Sequence, residues 1–285
     1  MGQIINGREI ATNIKEEIKS YVDKRIKEGK DIPQIASILV GNDGGSIYYM
    51  NSQEKVATSL GILFKRVELP EDTSKEELLN TIDKLNEDKK VHGIIIQLPL
   101  PKGIDEKEVV ARISPKKDID CLTFESQGKL YMGEDGFLPC TPNSVVTLIK
   151  SLGINLSGKE AVVIGRSNIV GKPVAQLLLK ENATVTICHS RTKDLKEVCK
   201  RADILVVAIG KPKFLDETYV KEGAVVIDVG INAKPEGGGI CGDVDTDDVV
   251  GKASMVTPVP AGVGSVTTSI LAKHVIKACK QQNNK

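Results

Sequence analysis

Aromatic residues are scarce in this sequence, whose 285 residues include no tryptophan, four phenylalanines and five tyrosines. Proteins that bind single-stranded nucleic acid stack its bases on aromatic side chains, so we expect no such binding here. An excess of charge is missing as well, because 39 Lys and Arg residues are balanced by 38 Asp and Glu residues. With a net charge of +1, no overall field draws the protein to nucleic acid or to a membrane, and we expect neither as a partner.

Signals for a membrane, a secretory route and a metal site are also missing. No apolar run approaches the roughly 18 residues of a spanning helix, and the first residues lack a secretory leader's charged start and apolar core. The three histidines show no metal-ligand spacing. Residues 243–248 begin like a calcium loop, but Asp248 stands where glycine is needed and Ser254 where the bidentate Glu belongs, so we expect no metal. None of the six cysteines forms a C-x-x-C pair, which favours reduced thiols in the cytoplasm; they are Cys121, Cys140, Cys188, Cys199, Cys241 and Cys279.

Helical and strand patterns alternate along the whole chain, which predicts an α/β fold with parallel strands joined by helices. We expect two α/β domains flanking a cleft: residues 1–142, with the helix at 266–285 packing back onto them, and residues 143–265, a Rossmann-type unit. The stretch from 114 to 142 is expected to be irregular. The expected strands lie at 34–40, 64–69, 92–97, 161–164, 183–188, 204–209 and 224–229, and the expected helices at 10–27, 46–60, 73–86, 105–113, 143–152, 173–181, 194–200 and 266–280.

The stretch from Ala161 to Pro173 predicts an anion-binding turn. Four apolar residues indicate a buried strand, Gly165 permits a sharp turn, and Gly171 with Pro173 opens a helix. A helix N-terminus after a glycine turn presents free N–H groups and the positive end of the helix dipole to a phosphate. The glycines are six residues apart, so the stretch departs from the G-x-G-x-x-G fingerprint and on its own could be purely structural.

The residues after the next strand favour NADP as the cofactor. NAD-binding units usually place Asp or Glu there to hold the ribose 2′-hydroxyl, and this chain instead has Ser190, Arg191 and Lys193. Together with Arg166 in the glycine turn, these donors suit a 2′-phosphate, which a carboxylate would repel. The alternative is that these charges are solvated and bind nothing.

Several loop segments together resemble one enzyme family. They are Tyr49, HGIIIQLPLP at 92–101, KDIDC at 117–121, PCTP at 139–142, GRSNIVGKP at 165–173, GDV at 242–244 and TPVPAGVG at 257–264. In this order and over essentially the whole chain, they are similar to the bifunctional methylenetetrahydrofolate dehydrogenase/cyclohydrolase family. The resemblance implies a cytoplasmic homodimer that oxidises 5,10-methylenetetrahydrofolate with NADP and then hydrolyses the methenyl product to 10-formyltetrahydrofolate. The folate would bind residues 1–142 at the cleft, and NADP residues 143–265.

The resemblance also implies the roles of individual residues. The catalytic group is expected to be Tyr49, Gln53, Gln97 and Asp120. The folate substrate is expected to contact Tyr49, Gln97, Leu98, Pro99, Asp120, Pro260 and Gly262. The cofactor is expected to contact Gly165, Arg166, Ser167, Ile169, Gly171, Ser190, Arg191 and Ile231.

The chain departs from the pattern of the family that it resembles at the residue that matters most for hydrolysis. The position of the family's catalytic lysine is occupied by Gln53, and Lys55 lies about 200° around the helix, too far to replace it. Glutamine can orient a water but cannot exchange a proton at neutral pH. We therefore expect a dehydrogenase whose cyclohydrolase activity is weak or lost. The alternatives are a fully bifunctional enzyme and a folate- and NADP-binding protein without turnover. Cys121, Ala261 and Ser265 also replace the family's usual glycine, glycine and proline.

Overall fold

The computed structural model describes residues 2–234 and 237–283. No helix in this part of the chain is long and apolar enough to cross a membrane. The strands are β1 (Gln3–Ile4), β2 (Gln34–Val40), β3 (Leu63–Leu69), β4 (Gly93–Ile96), β5 (Glu160–Ile164), β6 (Thr184–Cys188), β7 (Ile204–Val207), β8 (Val225–Asp228), β9 (Asn232–Ala233), β10 (Ile240–Cys241) and β11 (Met255–Val256). The α-helices are α1 (Gly7–Lys27), α2 (Gly44–Ser59), α3 (Lys75–Glu87), α4 (Glu106–Ala111), α5 (Phe124–Met132), α6 (Cys140–Ser151), α7 (Gly171–Lys180), α8 (Leu195–Cys199), α9 (Thr246–Val249) and α10 (Val263–Asn283).

The chain forms two compact units, each built from two segments. One unit comprises Asn13–Leu138 and Thr268–Lys285 and contains a parallel sheet in the order β3-β2-β4. Strand β2 lies in the middle of this sheet, which explains why it is almost continuously apolar and buried. Strand β3 lies at the edge and alternates between half-buried and exposed residues. We call this part of the chain the three-stranded unit.

The other unit comprises Met1–Thr12 and Pro139–Thr267 and contains a sheet in the order β1-β11-β8-β7-β5-β6. Every strand pair in it is parallel, so all carboxyl ends lie at one edge, where ligands of such sheets bind. Strands β5, β7 and β8 are its buried centre, and a short antiparallel pair of β9 and β10 lies outside the sheet. We call this part the six-stranded unit.

The observed units differ from the expected domains at their boundaries. Residues 1–12 were expected to lie in the first domain, but Gln3 pairs with Met255, which adds β1 to the six-stranded sheet. The longer segment of the six-stranded unit begins at Pro139 rather than at the expected residue 143, because α6 starts at Cys140. Thr268–Lys285 belongs to the three-stranded unit, and residues 284 and 285 of the expected helix lie outside the described residues.

The prediction that residues 114–142 are irregular is wrong for Phe124–Met132, which form α5. The hydroxyl of Thr123 caps this helix by accepting from the N–H of Ser126, and Gly133 ends it in the left-handed conformation. Hydrophobic periodicity does not reveal this helix. Its large apolar residues Phe124 and Met132 are exposed, so no apolar stripe marks its buried face.

Candidate functional site

Helix α2 carries two of the expected catalytic residues. Its N-cap is Asp43, whose carboxylate accepts from the N–H of Ser46 at 2.8 Å, so the helix begins at Gly44 rather than at the expected residue 46. The helix places Tyr49 and Gln53 four residues apart on one side. Tyr49 is 39% exposed, whereas Gln53 is buried at 3%. Lys55 is exposed on the same helix and does not substitute for an amine at position 53.

Gln97 follows β4 at the carboxyl end of the sheet, and its backbone N–H donates to the carbonyl of Ile38 at 2.9 Å. Its buried side chain donates from Nε2 to Oε1 of Gln53 at 2.8 Å and to Oγ of Ser37 at 2.9 Å. The structure therefore brings Gln53 and Gln97 together. Ser37 was not identified from the sequence, although it is a lone polar residue in the apolar run of β2.

The segment 117–121 combines structural residues with one candidate ligand. The ammonium of Lys117 is buried against the C-terminal end of α3, where it donates to the carbonyls of Leu85 and Asp88 at 2.9 and 2.8 Å. Burial lowers the pKa of Lys117. The carboxylate of Asp118 accepts from the N–H groups of Leu122 and Thr123. The loop is thus fixed at both sides of Asp120, which is half-buried.

Two of the three departures from the family lie where glycine is favoured. Cys121 has φ +56° and Ala261 has φ +82°, both in the left-handed region that residues with a Cβ adopt at a cost. The side chain of Cys121 is fully buried, and burial raises the pKa of its thiol far above the usual range, so it is no nucleophile. Nothing in the structure explains Ser265.

The remaining expected substrate contacts lie in two loops, one in each unit. Leu98 and Pro99 are exposed directly after Gln97, and the Leu98 carbonyl accepts from the hydroxyl of Ser46 at 3.2 Å. Pro260 is exposed in the loop between β11 and α10, and Gly262 is buried there. A Cβ atom at Gly262 would lie 2.4 Å from the carbonyl oxygen of Pro258, so only glycine fits.

A cavity of about 290 Å³ opens at the carboxyl ends of β5, β6 and β7 in the six-stranded unit. Gly165 forms its floor with φ +132°, and a Cβ atom there would lie 2.3 Å from the carbonyl oxygen of Ala208. A Cβ atom at Gly171 would lie equally close to the carbonyl oxygen of Gly165. The two glycines that the sequence singled out therefore let the turn fold tightly against the sheet. The cavity is lined by Ile164, Gly165, Arg166, His189, Ser190, Leu195, Ala208, Ile209, Lys211 and Phe214.

The expected cofactor residues divide into those that line this cavity and those that do not. Gly165, Arg166 and Ser190 line it, and none of the described lining residues carries a carboxylate. Ser167 instead holds the turn, since its hydroxyl accepts from the N–H groups of Val170 and Gly171. Arg191, Ile169 and Ile231 are exposed and outside the lining. The cavity thus offers a guanidinium, a hydroxyl and the Lys211 amine, a donor set that suits a phosphate group.

Two buried carboxylates that were not identified as site residues organise the loops beside this cavity. Asp243 accepts from the N–H groups of Ile209, Gly210 and Lys211 at 2.6, 3.0 and 2.7 Å and from the amide of Asn232 at 2.9 Å. Asp228 accepts from the backbone of Gly230, Asp243 and Val244, and burial raises its pKa to about 6. The sequence signal for Asp243 was the segment GDV at 242–244, which contains it. Its carboxylate accepts from backbone N–H groups.

Comparison with known proteins agrees with this geometry. The family model described as tetrahydrofolate dehydrogenase/cyclohydrolase, catalytic domain, matches residues 5–120, and the NAD(P)-binding domain of the same family matches residues 139–283. A protein of Clostridium botulinum (strain Eklund 17B / Type B) named "Bifunctional protein FolD" is 67% identical over 281 residues, covering 99% of each chain.

Solved structures give the same result. The bifunctional dehydrogenase/cyclohydrolase FolD of Campylobacter jejuni superposes with a TM-score of 0.95 at 41% identity, covering 99% of both chains. The Trypanosoma brucei enzyme, solved with NADP cofactor and inhibitor, has a TM-score of 0.94 at 36% identity and covers 100% of this chain and 99% of its own. The resemblance predicted from the loop segments is confirmed, and the chain belongs to the tetrahydrofolate dehydrogenase/cyclohydrolase family.

Proposed function

We propose that the protein oxidises 5,10-methylenetetrahydrofolate to the methenyl form with NADP⁺ and hydrolyses that product weakly or not at all. One observation carries the second half of the proposal. At the position of the family's catalytic lysine, a buried glutamine side chain is hydrogen-bonded to Gln97.

The dehydrogenase step makes modest demands on the protein. Hydride leaves a carbon between two nitrogens, and the resulting cation is stabilised by the substrate itself. The enzyme must mainly hold the pterin and the nicotinamide in reacting geometry, and NADP⁺, when bound, would supply the hydride acceptor. Tyr49 offers an exposed aromatic face, and Asp120, on its fixed loop, suits the paired N–H donors of a pterin edge.

The hydrolysis step demands more, because a water must be deprotonated as it attacks the methenyl cation. Gln53, its partner Gln97 and the Ser37 hydroxyl that Gln97 contacts are all neutral, so this network neither accepts nor releases a net proton near pH 7. Loss of a general acid–base group lowers a rate by about 10²–10⁴-fold. The oxidation, which needs no such group, is unaffected by the same replacement.

The choice of NADP is supported by the cavity in the six-stranded unit. Arg166 and Ser190 line it together, and its described lining contains no carboxylate that would repel a 2′-phosphate. The test is Arg166→Gln, with Arg201→Gln, an exposed arginine outside the cavity lining, as its matched control. Arg166→Gln should weaken NADP⁺ binding by about 10-fold to 100-fold, as expected for a lost charged hydrogen bond, and leave NAD⁺ binding within about twofold. An equal loss for both cofactors would contradict the assignment.

We also propose a cytoplasmic homodimer that forms through the edge of the six-stranded sheet. Strand β6 is an edge strand, so one side of its backbone is available for pairing. Ile187 on this strand and Leu179 on the preceding helix are 42% and 55% exposed. None of the six cysteines, all within the described residues, forms a disulfide, which suits a reducing compartment. Ile187→Lys should convert a dimer to a monomer in sedimentation, whereas Ile169→Lys, an exposed control outside the edge strand, should not.

The catalytic proposal is tested by mixing purified protein with 5,10-methylenetetrahydrofolate and NADP⁺ and following NADPH and methenyl product in one spectrum. We expect methenyl product to accumulate one-for-one with NADPH. Methenyl product that stays low while 10-formyl product forms would show a fully bifunctional dehydrogenase/cyclohydrolase, the pair of activities named for the Campylobacter jejuni enzyme. No NADPH would indicate a folate- and NADP-binding protein without turnover.

A further inference from the structure

We infer that Ser37 is a positioning residue that, together with Gln53, fixes the orientation of the Gln97 amide for hydride transfer. The inference rests on the proposed dehydrogenase function and extends it to a residue that makes its contact through Gln97.

Ser37 lies in the middle of β2, between strands β3 and β4, and is completely buried. The residues from Ile35 to Val40 are otherwise apolar. A hydroxyl in such a place is costly unless it is hydrogen-bonded, and an alanine would fill the same site without that cost. Its partner is Gln97, whose Nε2 lies 2.9 Å from the serine Oγ and sixty residues away along the chain.

These two contacts orient the amide of Gln97. Its nitrogen carries two hydrogens, and each has one acceptor, Oε1 of Gln53 and Oγ of Ser37. The carbonyl oxygen of Gln97 then points away from both.

A fixed carbonyl dipole has a specific use in this reaction. Positive charge develops on the substrate as the hydride leaves, and a preoriented oxygen stabilises it without having to reorganise during the step. With Ser37 removed, one hydrogen of the Gln97 amide loses its acceptor and the amide is free to turn. The effect should therefore appear in kcat rather than in substrate binding.

The test compares Ser37→Ala and Ser37→Thr, each also combined with Gln97→Ala. The matched control is Ser269→Ala, a buried serine in the same unit whose hydroxyl has no partner. Ser37→Ala should lower the dehydrogenase kcat by about threefold to tenfold, as expected for one neutral hydrogen bond, with KM within about twofold. Ser37→Thr should retain activity, and Ser269→Ala should equal the wild type. In the Gln97→Ala background, Ser37→Ala should have no further effect.

A second readout is independent of turnover. The side-chain amide protons of Gln97, identified in NMR spectra by their absence from Gln97→Ala, should exchange slowly in the wild type and fast in Ser37→Ala. Unchanged kcat and unchanged exchange in Ser37→Ala, or an equal loss of kcat with and without Gln97, would overturn the inference. If the wild type forms no NADPH, the dehydrogenase proposal fails and the exchange measurement alone decides whether Ser37 holds the amide.

Discussion

The replacement Gln53→Lys should give the protein a cyclohydrolase activity. Position 53 is 3% exposed, so a lysine there would be desolvated and its pKa lowered towards neutrality, which suits an amine that moves protons near pH 7. The ammonium would need an acceptor on Gln97, whose nitrogen now lies 2.8 Å from Gln53. The amide must therefore turn by half a rotation, and the hydroxyl of Ser37 can follow because it can donate as well as accept.

The magnitude follows from the loss that the natural replacement represents. A general acid–base group contributes about 10²–10⁴-fold, or about 3–5 kcal/mol at 1.36 kcal/mol per decade. We expect Gln53→Lys to hydrolyse methenyltetrahydrofolate at least about tenfold faster than the wild type, because the supporting residues Tyr49, Gln97 and Asp120 are present. It should also create a pH dependence of hydrolysis near neutrality, which the neutral wild-type network lacks.

The assay follows the disappearance of added methenyltetrahydrofolate, with dehydrogenase activity and thermal unfolding measured on the same samples. Gln53→Met controls for the loss of the amide without a gain of an amine. Ser52→Lys controls for an amine one position away on the same helix. A folded Gln53→Lys variant that hydrolyses no faster than the wild type would refute the assignment of the lost activity to this residue.

Three further predictions concern the loops and the buried ionisable groups. Ala261→Gly should raise the free energy of unfolding in urea by up to about 1 kcal/mol, because glycine adopts φ +82° without strain and the relief outweighs its larger unfolded-state entropy; a decrease would contradict this. Asp243→Asn should raise the KM for NADP⁺ and lower stability by about 1–3 kcal/mol, since the new amide hydrogens face backbone N–H donors, whereas the control Asp245→Asn should do neither. Burial lowers the pKa of His274 to about 4. The neutral ring therefore contributes its full stabilisation above pH 6.5. This contribution, up to about 3 kcal/mol, is lost as the pH falls from 6.5 to 4. The loss of unfolding free energy caused by His274→Asn should therefore be smaller at pH 5 than at pH 7.5. An equal loss at both pH values would exclude this pH-dependent contribution of His274.

The sequence predicted those parts of the fold that depend on neighbouring residues. Strand β2 was predicted at its observed bounds because its apolar run is continuous. The glycine turn at Gly165 followed from residue type and order alone, and the cavity lies directly beside it. The separation of Lys55 from Gln53, about 200° around the helix, followed from helix geometry.

What the sequence did not predict depends on partners far along the chain. Strand β1 has two residues and exists only because Met255 and Val256 pair with it. The contact between Ser37 and Gln97 has no local signal, since a serine in a strand is common. The role of Asp243 became visible only when the loop after β7 folded onto it.

The discontinuity of the two units limits how the protein can be divided. A fragment that ends at Leu138 keeps β2, β3 and β4 but carries β1 without its partner strand β11. It also loses His274, whose ring nitrogen contacts the carbonyl of Ile119 at 2.8 Å from the last helix. A gene cut between the two units would therefore yield two incomplete proteins. A unit exchanged between relatives should fold only when both of its segments are transferred together. Met1–Thr12 must accompany Pro139–Thr267, and Thr268–Lys285 must accompany Asn13–Leu138.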